Sequence, residues 1–417
     1  MSTPRSHFDA VIVGAGVVGV ASALWAQMRG QSVALIDPAP VGSGASSGNA
    51  CTLATYACLP VNDPSVFANL PYYLFSNDSP LALSWGHALR HPIWMMKFLA
   101  NCRATKSRQI AQELAALLAH ADAGLNPLIE AAAAEDLIIA NGQLTVWRSA
   151  TAADADRAGL KFRRDQGIPF EELSGAEAHA MEPALAFQPA RGVYYPLARH
   201  IRDPLLLTQR LHQKFTELGG QTIAKAVTEL SDEGAQVRVH LGQDDVTAAR
   251  VVLAAGAYSA QIKGGGAEHL PLQTERGYHL IYKDLGHYAS RPVGWVEGGF
   301  YTAPMAQGLR LAGTVEIAAL NAPQNPRRLD YIARKGAELW GDLPAPDATW
   351  MGCRPTLPDA LPVIGPSPSS SKIIHAFGHQ HLGLTLAGVT GRIVADLLEG
   401  RQPNLAIGGL SAARSFL

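Results

Sequence analysis

The chain has 417 residues, 47% of them hydrophobic and 17% charged, and its 34 basic and 35 acidic side chains leave a formal net charge of −1. That balance gives no basic footprint for nucleic acid and no acidic tail, so no nucleic-acid partner is expected. Four cysteines, Cys51, Cys58, Cys102 and Cys353, contain no C-x-x-C pair; a zinc or iron–sulfur framework is excluded, no metal is expected, and a reducing, cytoplasmic compartment fits.

From Ala10 to Met28 the chain carries no charge, with Arg5 and His7 just before it, a profile that a hydropathy scan reads as a leader or an anchor. Gly14, Gly16 and Gly19 interrupt the run, and residues 32–36 restart as a strand. A folded strand–turn–helix–strand explains both features, and no other stretch is apolar enough to span a membrane.

Residues 8–13 read as a buried parallel strand that runs into Gly14-Ala15-Gly16-Val17-Val18-Gly19. A helix follows through Met28, with Gly30 as its C-terminal cap, and a second strand ends on Asp37. In a G-x-G-x-x-G turn, Gly14 permits the tight bend, Gly16 lets a pyrophosphate approach, and Gly19 lets helix and strand pack closely. The N–H groups at Val17 and Val18 would face the anion. Asp37, about 20 residues on, suits a ribose diol. Strand, turn, helix, strand and acid in this order point to a dinucleotide.

The next loop, residues 41–50, is small and rich in hydroxyls. Its Ser46, Ser47, Asn49 and Ala50 can wrap a pyrophosphate and approach a flat ring system that bulky side chains would obstruct. Residues 92–98, Pro-Ile-Trp-Met-Met-Lys-Phe, are expected in the core, with peripheral membrane contact as the alternative. Residues 104–136 read as helix with a break or kink around Gly124 to Pro127, and Ile110, Leu114, Leu117 and Leu118 form an apolar stripe.

Asp203-Pro204 pairs an N-cap with a first-turn proline, predicting a helix to about Leu218 that Gly219-Gly220 stops. A strand is expected over residues 222–228, with a hairpin through Gly234 and Gly242. Residues 250–259 read as a buried strand ending in a small-residue turn that contains Ala255 and Gly256. Residues 273–282, 299–304 and 309–314 alternate as an antiparallel sheet should. Residues 373–379 form a strand that turns at Gly378-His379 into a helix beginning at Leu382-Gly383-Leu384-Thr385 and reaching Leu398. The start of that helix suits an electron-rich carbonyl.

With the block Gly352-Cys353-Arg354-Pro355-Thr356-Leu357-Pro358-Asp359-Ala360-Leu361-Pro362-Val363-Ile364-Gly365, these segments resemble the D-amino-acid dehydrogenase and glycine oxidase branch of the D-amino-acid-oxidase-like FAD oxidoreductases. The similarity in order and spacing covers nearly the whole chain, sharp at the N-terminus and over the last sixty or so residues and loose between about 60 and 190. It implies an α/β (α+β mixed) fold: a Rossmann-like, discontinuous FAD-binding domain over 1–62, 190–262 and 352–417, and a substrate domain over 63–189 and 263–351 built on a mostly antiparallel sheet. It also implies non-covalent FAD held by Gly14, Gly16, Val17, Val18, Gly19, Asp37, Ser46, Ser47, Asn49, Ala50, Val227, Ala255, Gly256, His379, Leu382, Gly383, Leu384 and Thr385. Cys353 stands one residue out of register with the cysteine that attaches flavin in sarcosine-oxidase-like cousins. His381 stands where relatives often carry a smaller residue.

The implied reaction is oxidative deamination of a small D-amino acid, with hydride passing from the α-carbon to flavin N5. D-proline and hydroxy-D-proline are candidate substrates. Arg354 stands where the family carries its substrate-binding arginine, and a guanidinium grips a carboxylate in a two-pronged fork. Tyr278, His279 and Tyr301 stand where the family sets polar or aromatic residues over the flavin. Neighbouring strand residues face opposite sides, so Tyr278 and His279 cannot both face the cavity, and Tyr278 or Tyr301 is the expected carboxylate donor. A glycine- or sarcosine-type N-methyl amino acid oxidase, and a flavin-binding subunit that needs a partner, remain open. The electron acceptor is either oxygen or a quinone of the respiratory chain, and membrane association is at most peripheral.

Overall fold

The computed structural model describes residues 7–75 and 78–417. The strand His7–Val13 ends in four consecutive buried residues, so both of its faces need cover. It pairs in parallel with Val33–Ile36 on one side and Val246–Leu253 on the other, and Gln221–Ile223 extends the sheet beyond Val33–Ile36. Val246–Leu253 then serves two further neighbours. Its first half pairs with Val237–His240, hairpinned to Glu229–Asp232; its second half runs parallel to Ser370–Phe377, which pairs with Val363–Ser367. This eight-stranded sheet gathers both ends and the middle of the chain. The expected strand over 222–228 stops at Ile223, leaving Val227 in irregular chain.

Helices Val17–Met28, Pro204–Glu217 and Gly383–Leu398 cover the sheet, sharing a core of Ile12, Leu24, Leu35, Phe215 and Val394. Asp203 caps its helix as expected, its carboxylate accepting from the N–H groups of Leu205 (3.0 Å) and Leu206 (3.1 Å). The expected kink at Gly124 to Pro127 lies earlier: one helix spans Ala104–Leu118 and the next Ala121–Ala131, with Pro127 inside it. Gly124 serves close approach instead of breaking the helix. A Cβ there would lie 2.2 Å from Val389 N, and one on Gly388 would lie 2.4 Å from Leu125 Cα.

A second, nine-stranded sheet follows the order Ala348–Thr356, Gln273–Tyr282, Gly308–Ile317, Phe300–Met305, Val293–Trp295, Gln143–Trp147, Arg191–Tyr195, Glu171–Ser174, with Leu81–Leu83 paired off this path to Gly308–Ile317. Its ladders are antiparallel except at Val293–Trp295 with Gln143–Trp147 and at Leu81–Leu83. Two expected boundaries move. Arg191–Tyr195 belongs to this sheet, because Val193 and Tyr195 bury their side chains with Trp147 and Tyr56. Ala348–Thr356 also belongs to it, so the chain rejoins the first sheet only at Val363. Helices Ala104–Leu118 and Ala121–Ala131, expected with the second unit, pack on Gly383–Leu398 beside the first. Between the sheets, Thr52–Leu53, Arg199–Ile201 and Ile138–Ile139 form a short three-stranded tie.

Residues 92–98 fall within helix Pro92–Asn101. Trp94 is buried and donates from Nε1 to Pro271 O at 2.9 Å. Ile93 and Met96, expected in the core, are 64% and 62% exposed, because the helix docks through its other face. Among the described residues, no helix is long and apolar enough to cross a membrane.

Candidate active site

A cavity of about 1130 Å³ opens between the two sheets, at the C-terminal ends of His7–Val13 and Val246–Leu253, the end of a parallel sheet where ligands settle. Ordinary small-ligand pockets run to about 1000 Å³ at most, so the space suits a large cofactor plus a small substrate. The glycine turn forms its floor. Gly14 takes φ +108° with its bare face against Ala254, where a Cβ would lie 2.5 Å from the carbonyl oxygen. Gly16, Val17 and Val18 line the cavity. Gly19 does not; a Cβ there would lie 1.8 Å from Gly14 O, so this glycine acts in helix–strand packing.

Asp37 also lines the cavity, its Oδ2 accepting from Ala15 N at 2.7 Å and its Oδ1 from Ala39 N at 2.8 Å. The carboxylate thus fixes the turn beside which a ribose would sit. Ala226, Val227 and Thr228 line the same end, as do Ala255 and Gly256. Ser46 accepts from Val17 N at 2.9 Å and, with Asn49 and Ala50, lines the wall. Ser47 turns away, its hydroxyl donating to Gly44 O at 3.0 Å.

Three side chains of the second sheet hold this loop from behind. Arg310 Nη1 donates to Ser47 O (3.1 Å) and Asn49 O (2.9 Å). His279 Nδ1 bonds Gly48 O at 3.1 Å. Trp350 stacks on His279 with centroids 5.0 Å apart and covers Gly48, where a Cβ would strike its ring at 2.3 Å. Burial, then the Arg310 charge, pushes the His279 imidazole down to about 3. His279 is therefore a neutral buttress outside the cavity lining, and Trp350, absent from the expected site, forms the wall in its place.

The far end is built by the strand Ala348–Thr356 and the start of Gly383–Leu398. No side chain caps that helix, and Leu382, Gly383 and Leu384 line the cavity. Thr385 instead accepts from Ala54 N at 3.0 Å, tying the helix to the short three-stranded sheet. His379 lines the cavity and bonds Thr390 Oγ1 through Nε2 at 2.9 Å, with burial pushing its imidazole down to about 3. The next residue, Gln380, takes φ +48° and lines the cavity with a buried Nε2 that has no partner among the described residues. His381 also reaches the cavity; burial first, then repulsion from Arg354, pushes it down to about 4.

Arg354 lies in the cavity wall. Its guanidinium rests on Gly277, where a Cβ would lie 2.4 Å from Nη2, and Nη1 donates to Thr314 O at 3.2 Å. Thr314 is the bulged residue of its strand, at φ +57°, and the bulge turns its carbonyl toward Arg354. Glu275 sits opposite Arg354 on the neighbouring strand, and burial raises its carboxyl. No carboxylate forms an ion pair with Arg354 among the described residues. Burial lowers the guanidinium somewhat from its ordinary value.

Tyr301 faces the same space, 39% exposed into the cavity and leaning across Gly294, with burial raising its phenol. Tyr56, also absent from the expected site, lines the cavity while stacking on Tyr195 (4.0 Å) and donating to Gln143 Oε1. Tyr278 is not in the cavity. It lies on the opposite face of its strand, donating to Glu316, which Arg276 (3.1 Å) and Asn325 (2.6 Å) also bind. Cys353 lines the cavity with its thiol raised by burial and Sγ 3.7 Å from Leu320 O. The uncapped start of Gly383–Leu398, a bare glycine turn and a Gln380 amide without a partner among the described residues make a surface of hydrogen-bond donors that fits FAD.

The family model for FAD-dependent oxidoreductases matches residues 9–397. A D-amino-acid oxidase of Bradyrhizobium diazoefficiens is 34% identical over 97% of this chain and 98% of its own. A D-amino acid dehydrogenase 2 of Ralstonia nicotianae is 30% identical over 97% and 99%. Among solved structures, a glycine oxidase from Geobacillus kaustophilus has a TM-score of 0.78 at 23% identity, covering 98% of this chain and 99% of its own. An L-proline dehydrogenase from P. horikoshii has a TM-score of 0.73 at 16% identity over 98% and 97%, showing the same fold.

Proposed function

The chain belongs to the FAD-dependent oxidoreductases, and from that premise we propose that it oxidises a small D-amino acid at the α-carbon. The α-carbon loses hydride and the nitrogen a proton, and the resulting imine takes up water to give a 2-oxo acid and ammonia; from a cyclic amino acid it stays in the ring. Bound FAD supplies the two-electron acceptor. The glycine turn, Asp37, Ser46, Asn49, Ala50 and the start of Gly383–Leu398 would hold FAD non-covalently, the eight-stranded sheet serving the cofactor and the nine-stranded sheet the substrate.

The observation that carries this reading is Arg354, a guanidinium in the cavity wall without an ion-pair partner among the described residues. A carboxylate completes it, and the two-pronged contact orients the substrate as well as attracting it. Tyr301 offers a phenol to the same carboxylate, and Tyr56 walls the space beside it. The named activities of both curated relatives, each acting on D-amino acids, support the stereochemistry. The four free cysteines fit a reducing compartment such as the cytoplasm.

Anaerobic addition of D-alanine, D-proline, cis-4-hydroxy-D-proline, L-proline, glycine or sarcosine to the purified protein tests this directly. Bleaching of the flavin absorbance by a D-amino acid is expected, and air then separates an oxidase from an enzyme that passes electrons to a quinone. Bleaching by glycine or sarcosine alone would sink the D-amino-acid reading. In Arg354→Met, the KM should rise roughly 100-fold, the cost of one charge-assisted fork, while FAD stays bound.

A further inference from the structure

We propose that the face formed by Leu89, Ile93 and Met96, with the cationic residues around it, docks this protein onto an anionic lipid surface. Ile93 and Met96 lie one turn apart on Pro92–Asn101, Leu89 lies in the turn just before it, and the three are 64%, 62% and 76% exposed. A helix that covers a core presents its apolar stripe inward. Here Pro92–Asn101 buries Trp94 and Asn101 on one side and still offers a second apolar stripe to solvent. The protein itself gives that stripe no cover among the described residues, and exposed apolar surface that persists in a folded chain marks an interaction site.

Charge identifies the occupant. Residues 79–112 contain Arg90, Lys97, Arg103, Lys106 and Arg108 and not one Asp or Glu, in a chain whose formal net charge is −1. The segment that carries the apolar residues is thus purely cationic, on a molecule otherwise net negative, with Arg90 next to Leu89 in the chain and Arg103 just past the end of Pro92–Asn101. Arg90, Arg103, Lys106 and Arg108 form no ion pair among the described residues, whereas arginines elsewhere on the surface commonly do. Bulky apolar groups flanked by unpaired cations match an interface with hydrocarbon just below a layer of negative headgroups. A second copy of this chain would bring like charge against like.

The helix that bears the face is also tied to the chain segment that continues from the cavity wall. Asn62 and Asn101 both donate from Nδ2 to Pro358 O, at 2.9 and 3.4 Å, and Pro358 lies four residues beyond Arg354. A protein docked there holds its catalytic end at a set position relative to the bilayer, where a lipid-soluble electron acceptor is concentrated. The lipid contact itself does not depend on which amino acid is oxidised.

The test is flotation of the FAD-loaded protein with phosphatidylcholine vesicles, with and without phosphatidylglycerol. Binding is expected only to the anionic vesicles and should fall steeply toward about 0.5 M salt. Ile93→Glu with Met96→Glu, and separately Arg90→Ser with Arg103→Ser and Arg108→Ser, should each reduce the bound fraction at least roughly tenfold. All of these side chains are exposed, so flavin absorbance, melting temperature and turnover of a soluble substrate should not change. Failure to bind anionic vesicles, or equal binding by the variants, would overturn the proposal. So would a concentration-dependent dimer that Ile93→Glu dissolves, which would assign the face to a second copy.

Discussion

At the scale of single residues, the cavity separates two arginines with opposite tasks. Arg354 faces the space with an unfilled fork, whereas Arg310 is buried behind the wall, its Nη1 on Ser47 and Asn49 carbonyls and its Nε without a partner. Arg310→Met leaves Ser47 O unpaired and Asn49 O with only the weak Cys51 Sγ donor at 3.4 Å, and a buried acceptor without its donor costs about 1–3 kcal/mol. FAD binding, followed by flavin fluorescence, should therefore weaken, with a Kd raised about tenfold or more. The amino-acid KM of the FAD-saturated variant should stay near the wild-type value. Histidine chemistry is absent from this picture for a physical reason. His379 and His381, pushed to about 3 and about 4, are neutral throughout the working range, so neither titrates near neutrality as a general base would. The rate at low substrate should rise with pH, following deprotonation of the substrate's own ammonium group. An inflection between pH 6 and 7 that is independent of substrate would contradict this.

At the scale of elements, strand parity explains the error over Tyr278. Glu275, Gly277 and His279 pair with Arg354, Gly352 and Trp350, so these six share one face and Tyr278 the other. The two glycines make the face usable. Gly277 leaves room for the guanidinium, and Gly352 leaves room for the Trp350 ring, which a Cβ would strike at 2.0 Å. Alternation from Arg354 back through Gly352 to Trp350 was readable in the sequence, and it would have found this wall residue. The Thr314 bulge was not readable, since a threonine at φ +57° is the last residue type that local preference would choose. Helix packing depends on glycine in the same way. Gly388→Val drives a branched side chain into the backbone of Leu125, and a loss of about 3 kcal/mol or more is expected by denaturant unfolding.

At the scale of the whole molecule, the buried histidines connect stability to pH. Burial holds His200 at about 4 and His279 and His379 at about 3, against an ordinary value of 6.5. Between those values the unfolded chain binds protons that the folded chain refuses. Their depressed folded values therefore leave stability intact above about 6.5 and remove it as pH falls toward 4 and 3. Each contributes a slope of up to about 1.4 kcal/mol per pH unit in that window. Urea unfolding at pH 7 and pH 5.5 should show the loss, and equal midpoints would refute it. Denaturation in acid should also release the flavin and leave a colourless pellet, as non-covalent binding requires; a yellow pellet would instead implicate Cys353.

The sequence by itself determined the features that depend on near neighbours in the chain. These are the strand–glycine–helix–strand unit ending on Asp37, the Asp203-Pro204 helix start, the antiparallel run from Gln273 and the arginine of the Gly352–Gly365 block. In each, residue order dictates backbone shape directly. Tertiary structure decided what depends on residues far apart. It took Arg191–Tyr195 into the second sheet through burial with Trp147, left Ser47 and Thr385 as ties within the scaffold, and brought Tyr56 and Trp350 to the cavity from distant segments. It also turned Ile93 and Met96 outward while Trp94 went in. An apolar residue declares that it prefers burial, but which face of its helix finds a partner is settled only when the rest of the chain has packed.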